Sequence, residues 1–233
     1  MTYANLFKAW ATVLTAILVA ILLSTMALTT GAEAQTAGCT GNVVLDPGHG
    51  GTDPGAVYNK YNLNLKEKEQ NLDVANKLRG LLEPDVCNVF MTRTEDETLS
   101  NTERANKANY FKAKYPGDYV LVSIHMNGST NTSADYTTTL FGKWRKDKEL
   151  ANTVFGSLST LPAAGGTGKI ATRTPYSFAS GVLLKSNMPA TIAETVFITN
   201  DTEAQRLSDV AGTRQQQIAE ALEAGIDSYL TTH

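Results

Sequence analysis

Asn42-Val43-Val44-Leu45-Asp46-Pro47-Gly48-His49-Gly50-Gly51 decides how the chain is built. Asn42 to Asp46 is a short apolar run bounded by turn residues, and it reads as a buried strand. The proline and three glycines that follow make a tight turn at the strand's end. Glycines there let the backbone come close to a ligand. His49 sits in the middle of that turn. Taken alone it reads as an incidental loop histidine.

Outward from this strand, strand-like and helix-like stretches alternate. Lys66 to Leu82 has helical periodicity, Cys87 to Thr92 reads as a strand, and Ser100 to Lys114 as a helix. Ser100 is the N-cap of that helix, with Glu103 three residues on, a capping-box pattern. Tyr119 to His125 is a strand rich in β-branched residues, and Tyr136 to Phe141 is another. Asp147 to Leu161 reads as a helix, Gly181 to Leu184 and Thr191 to Ile198 as strands, and Thr202 to Leu230 as a long final helix with Gly212 as its candidate break. This alternation implies an α/β sheet covered by helices on both faces. Sheets of this kind place their sites beyond the C-terminal ends of strands. The length of 233 residues, with 42% hydrophobic and 18% charged, suits a single domain with a sizeable core.

Two of the chain's three histidines end apolar strands, His49 and His125, the latter in Ser123-Ile124-His125-Met126-Asn127. The third, His233, is the last residue and belongs to a tail spanning residues 231–233. Two imidazoles at one edge of one sheet could share a metal ion, and a catalytic zinc usually takes three protein ligands. Helix phase selects the third. At 100° per residue, Val74, Ala75, Leu78, Leu81 and Leu82 cluster on one side of their helix. Glu67 lies near the centre of that side and Glu69 almost opposite. A carboxylate on a buried face is costly unless it is paired or bound to a metal. A first-turn glutamate favoured by the helix dipole is the competing account. Glu194 interrupts an otherwise apolar or β-branched strand. It suits a structural ion pair, or a general base whose pKa a dry site has raised.

The net charge is −3 and no basic run is present, which argues against a nucleic-acid partner. The densest basic cluster, Lys143, Arg145, Lys146 and Lys148, is interrupted by Asp147 and Glu149 and reads as a solvated helix face. Lys8 precedes an apolar run from Ala11 to Leu28, and Ala32-Glu33-Ala34 gives an A-x-A cleavage pattern. Residues 1–34 therefore read as a signal peptide cut before Gln35, followed by a linker over residues 35–41. An uncleaved membrane anchor is the alternative, and the apolar run is near the lower limit for a span. Removal of residues 1–34 takes away Lys8 and Glu33 and leaves the net charge unchanged. In an exported protein Cys39 and Cys87 could pair. A structural zinc site of four cysteines is excluded by their number.

The residues together resemble the zinc-dependent N-acetylmuramoyl-L-alanine amidases of the type often called family 3. Leu45 to Gly51 with Asp53-Pro54-Gly55-Ala56 resembles the family's first ligand loop, and Glu67-Lys68 with Leu72 and Ala75 its glutamate-ligand helix. Arg93, then Arg104 with Ala108-Asn109, is similar to the next shared stretch, and Ser123 to Asn127 to the second histidine motif. Met188-Pro189-Ala190 and Glu194 to Asn200 resemble the closing segment with the catalytic glutamate. The likeness runs from about residue 42 to residue 230. Met126 and Val196 depart from it, where the family more often has alanine and glycine, without touching a ligand position.

The resemblance implies a mixed, roughly six-stranded sheet flanked by helices. It implies zinc on His49, Glu67 and His125, catalysis by Glu194, and cleavage of the amide between N-acetylmuramic acid and L-alanine in peptidoglycan. Asp46 and Asn127 could orient the ligand histidines or be plain turn residues. Arg104 and Asn109 could serve a helix salt bridge or the substrate groove. An exported monomer acting in the periplasm, cell wall or extracellular space is expected, touching a membrane only through an uncleaved N-terminal segment. The stretch from Phe141 to Leu161 is too short to hold an extra inhibitory helix, so an open site is expected. A zinc peptidase acting inside the stem peptide and a non-catalytic wall-binding protein are the alternative functions.

Overall fold

The computed structural model describes residues 39–142 and 146–233. The signal-peptide segment, and residues 35–38 of the expected linker, lie outside the described residues. Strands β1 (Asn42–Pro47), β4 (Asn88–Met91), β5 (Tyr119–Asn127), β6 (Tyr136–Phe141) and β9 (Ala190–Phe197) make the body of the sheet, joined by the two-residue strands β7 (Ala171–Thr172) and β8 (Tyr176–Ser177). The seven strands follow the order β4-β1-β5-β9-β6-β7, with β8 also pairing β6. β4, β1, β5 and β9 are mutually parallel, whereas β6 runs antiparallel to β9. A separate hairpin pairs β2 (Val57–Tyr58) with β3 (Leu65–Lys66).

Successive side chains of a strand point to opposite faces, so the parallel strands feed two cores. On one face Val43, Leu45, Val120, Val122 and Ile124 are buried in a common cluster with apolar residues of α1 (Glu67–Leu82), α3 (Lys146–Leu158) and α6 (Thr213–Thr232). On the other, Val44, Leu121, Leu140 and Ile192 cluster with Ala108 of α2 (Asn101–Lys114) and with Val182 and Leu183 of α4 (Gly181–Lys185). The α1 face buries Glu67, Asn71, Val74, Ala75, Leu78 and Leu82, the side that helix phase selects. At α2 the capping box is complete, with the Ser100 hydroxyl accepting from the Glu103 N–H and the Glu103 carboxylate accepting from the Ser100 N–H.

Several elements differ from expectation. Gly181 to Leu184 is helical, not a strand. Four apolar-rich residues cannot separate the two periods, and docking of Val182 and Leu183 on the second core decides it. The final helix is two helices, α5 (Asp201–Leu207) and α6, separated at Gly212 with φ of 64°. Asn200 caps α5 by accepting from the N–H groups of Thr202 and Glu203. α6 continues to Thr232, and the His233 ring stacks on Tyr229 at 4.4 Å, so the last residues are tied down. α3 ends at Leu158, three residues early. β7 and β8, exposed throughout, carry no alternating pattern that would announce them. Cys39 and Cys87 form a disulfide, and the Cys87 N–H donates to the Gly41 carbonyl at 2.7 Å.

One buried ion pair joins the second face to the end of β1. Asp46 is 0% exposed and Arg104 4% exposed, 2.8 Å apart. The Thr92 and Ser123 hydroxyls donate to the same carboxylate at 2.5 and 2.6 Å. Burial would raise the Asp46 carboxyl; Arg104 and the two hydroxyls outweigh it and hold it below its ordinary value. Asp46→Ala leaves the Arg104 charge buried without a counter-ion and should cost about 3–5 kcal/mol of stability. Urea unfolding checks this, and a loss under about 1 kcal/mol would show that the pair is not an anchor.

Candidate metal centre

The site is built from three backbone segments that meet at the C-terminal edge of the parallel strands. After β1 the chain turns through His49, which takes a left-handed φ of 58°, and Gly50 at φ 134°. A non-glycine residue at such a φ is unfavourable and persists only where its surroundings enforce it. Here two buried arginines do so. Arg93 donates to the carbonyls of Pro47 and Gly48, each at 2.9 Å, and of Lys68 at 2.8 Å. Arg104 donates to the carbonyls of Pro47 and His49, each at 2.7 Å. Glycine is sterically required at positions 48 and 55, beside the ligands themselves. A Cβ on Gly48 would stand 2.3 Å from the His125 imidazole, and one on Gly55 would stand 2.5 Å from Glu67 Oε2 and 2.7 Å from His49 Cδ2.

His49, Glu67 and His125 converge. Glu67 Oε2 lies 3.1 Å from His49 Nε2, and Glu67 Oε1 lies 3.0 Å from His125 Nδ1. One ligand atom from each of the three lies within 4.8 Å of the others. Donors about 2.0–2.2 Å from a tetrahedral ion stand roughly 3.4 Å apart, so two imidazole nitrogens and a carboxylate at this spacing could hold a small divalent cation. Glu67 is 3% exposed, whereas the Glu69 side chain is 51% exposed. The Glu67 carboxylate is held from several sides: Oε1 accepts from the Met126 N–H at 3.0 Å and Asn71 Nδ2 at 3.2 Å, and Oε2 from the Ala56 N–H at 2.9 Å.

Glu194 is the direct cross-strand partner of His125. It is half-buried, and among the described residues its carboxylate accepts no side-chain hydrogen bond. His49, His125 and Glu194 line a cavity of about 400 Å³ together with Asp53, Arg104 and Tyr176. The two imidazoles reach solvent through it, with side-chain exposures of 24% and 22%.

The other expected polar residues fall differently. Asp46 orients neither histidine; it is the counter-ion of Arg104. Asn127 bonds neither histidine, and its buried Nδ2 has no partner among the described residues. Arg104 both braces the ligand loop and lines the cavity. Asn109 ties α2 to the end of α4, donating to the Lys185 carbonyl and accepting from the Asn187 N–H. Three residues with a place at the site had no role assigned from sequence. Asp53 Oδ2 accepts from His49 Nδ1 at 2.8 Å, Asn71 holds Glu67, and Arg93 holds the loop. Asn71 was open to helix phase, four residues beyond Glu67 on the same face.

Residues 43–228 match the family model described as N-acetylmuramoyl-L-alanine amidase. The chain belongs to this family. It is 30% identical to N-acetylmuramoyl-L-alanine amidase AmiC of Escherichia coli O6:H1, over 80% of this chain and 52% of AmiC. It is also 30% identical to N-acetylmuramoyl-L-alanine amidase LytC of Bacillus subtilis, over 80% of this chain and 35% of LytC. The chain thus spans about half of one curated relative and about a third of the other. Among solved structures, the N-acetylmuramoyl-L-alanine amidase from Clostridium difficile 630 matches with a TM-score of 0.70 at 33% identity, covering 82% of this chain and 97% of that one.

The cluster of His49, Glu67 and His125 carries opposed charges in a small space. Burial would raise the Glu67 carboxyl, but hydrogen bonds and charge from His125 and His49 hold it far below its ordinary value. Burial would lower His49; Glu67 and then Asp53 outweigh that and push it up to about 9. His125 is raised as well, against its burial, chiefly by its hydrogen bond to Glu67. With a folded pKa above the ordinary 6.5, His49 stabilises the metal-free fold fully below that pH and loses the contribution as pH rises through about 9. A cation needs neutral imidazoles, so its uptake must expel these protons. Calorimetric titration of the chelator-stripped protein with a divalent cation at pH 7 should show net release of at least about one proton per ion. Heats that do not depend on the buffer's ionisation enthalpy would contradict this.

Proposed function

We propose that this chain is a zinc-dependent peptidoglycan hydrolase that cleaves the amide between N-acetylmuramic acid and the L-alanine of the stem peptide. The observation that carries the reading is the meeting of His49, Glu67 and His125, with Glu194 beside His125 in the adjacent strand. In this reading the two imidazoles and the Glu67 carboxylate hold zinc, the borderline-soft ion that this nitrogen and oxygen set suits. When bound, zinc supplies Lewis acidity toward water and toward the scissile carbonyl.

The chain's own residues supply the rest. Asp53 accepts the Nδ1 proton of His49, which fixes the tautomer that turns Nε2 toward Glu67. Ala56 N–H, Met126 N–H and Asn71 orient the Glu67 oxygens. Glu194 takes a proton from the attacking water and delivers it to the L-alanine nitrogen as the C–N bond breaks. Burial pushes the Glu194 carboxyl up, His125 draws it down, and the Glu67 charge raises it again. A carboxyl held above its ordinary range is better suited to accept and return a proton than one fixed as an anion.

A wall substrate requires the protein outside the cytoplasm. Two features support export: the apolar segment before the A-x-A pattern, read as residues 1–34 of a signal peptide, and the Cys39–Cys87 disulfide. Among the described residues no helix is long and apolar enough to cross a membrane.

Purified protein with one zinc per chain should release stem peptides bearing a free L-alanine amino terminus from sacculi, read by mass spectrometry. Glu194→Gln should retain zinc and lose about 10²–10⁴-fold in kcat. Wild-type turnover by that variant, or cleavage products from inside the peptide, would overturn the reading.

A further inference from the structure

The sheet continues past Glu194 toward its short-stranded edge, and the register puts one row of residues across it. His125 pairs with Glu194, and Glu194 pairs with Thr138 of β6. β6 pairs with β7 in parallel as Tyr136 with Ala171 and Thr137 with Thr172, so Arg173 follows at the level of Thr138. The Arg173 N–H donates to the Thr137 carbonyl at 3.0 Å, which extends the ladder by that residue. Paired residues of neighbouring strands share a face, so Arg173 stands on the face of His125 and Glu194. Its side chain confirms this placement. Nη1 donates to the Tyr136 hydroxyl at 3.3 Å, and the guanidinium lies 5.1 Å from the centre of the Tyr176 ring, a ring that lines the metal-site cavity.

Arg173 differs from the other arginines near the cavity. Arg104 is buried on Asp46, and Arg93 is buried on backbone carbonyls. Arg173 is exposed, held by two tyrosines, and has no carboxylate partner among the described residues. A guanidinium braced by neutral aromatic groups keeps its charge and its paired donors available for an anion.

We propose that Arg173 is a specificity residue that binds a carboxylate of the stem peptide during amide cleavage, an inference that rests on the hydrolase reading above. Two strand spacings separate Arg173 from Glu194, roughly 10 Å. An extended peptide covers that in about three residues. The polarity of the substrate fixes which side lies there. On the glycan side the lactyl carboxyl is consumed in the scissile amide and the sugars are neutral. On the peptide side, the residues after L-alanine are the ones that can carry a free carboxylate. The peptide therefore crosses β9 and β6 toward Arg173, and the glycan leaves the other way.

The test uses the zinc-loaded full chain and two soluble muramoyl tripeptides that differ only in whether the carboxyl at the second residue is free or a carboxamide, with a second pair differing at the third. The wild type should prefer the free acid at one of these positions about five- to tenfold in kcat/KM, carried by KM, and the preference should shrink as salt is raised. Arg173→Gln should bring that ratio close to one, and Arg173→Lys should restore part of it. A variant that keeps the wild-type ratio, or a wild type with no preference at either position, overturns the inference and leaves the hydrolase reading standing. Failure of the zinc-loaded wild type to cleave any of the four overturns both.

Discussion

Glu67 is a carboxylate taken out of water at the end of a sheet, and the surroundings of the site can be read as compensation for that one burial. An ionised group at 3% exposure is tolerable only with partners on every side. Two imidazoles, two backbone N–H groups and the Asn71 amide provide them. Each partner makes a further demand. The Ala56 N–H arrives only because Gly55 has no side chain to strike Glu67, and the His125 ring fits only because Gly48 has none. His49 reaches Glu67 from a left-handed backbone, which the carbonyl contacts of Arg93 and Arg104 hold in place. Arg104 in turn needs the buried Asp46. The glycines, the two arginines and the aspartate are thus consequences of placing one charge where a metal ion could use it.

The parts of this arrangement that were legible in the sequence are those with a period or a sharp local signal. β1 and β5 are buried on both faces and read as continuous apolar runs, so the histidines at their ends were visible. Glu67 could be separated from Glu69 because sixteen helical residues give a well-defined phase. What was hidden has no local mark. Asp46 looks like a turn residue, and its role depends on an arginine 58 positions away. Arg93 acts on carbonyls, which every residue possesses, so sequence gives no partner to search for. Gly181 to Leu184 shows four residues of a pattern that strand and helix share, and β7 and β8 are two residues each, too short for any period. Gly212 was visible as a weak point because glycine alone enters φ of 64° without strain, though only the fold shows two separate helices.

The two halves of the sheet divide the labour. In the parallel half, His49 follows β1, His125 lies on β5 and Glu194 on β9, with helices packed on both faces. Such strands resist displacement, and catalysis and metal binding both need donors held to fractions of an ångström. The other half begins where β6 reverses direction and ends in short, exposed strands. That edge has few buried contacts to protect, so its side chains can vary without disturbing the metal ligands. A substrate lying across the seam would meet chemistry on one side and recognition on the other, with Glu194 at the boundary.

The two glutamates show the same division in their proton affinities. Both are carboxylates, and both are desolvated. Glu67 accepts three hydrogen bonds from N–H groups besides its imidazole contacts, and it is driven far below the ordinary range. Among the described residues Glu194 accepts none from a side chain, and burial raises it. Groups pushed apart in this way suit different tasks: the low one holds its negative charge more firmly, and the high one can change its charge during a reaction. A divalent cation in the triad would lower Glu194 by its field, but that field acts at a distance on a group to which no described side chain donates. Among the described residues, the lack of a side-chain donor to Glu194 is therefore as much a part of the site as the donors gathered at Glu67. A donor placed against Glu194 would stabilise its anion and hold back the proton transfer that its position beside His125 allows.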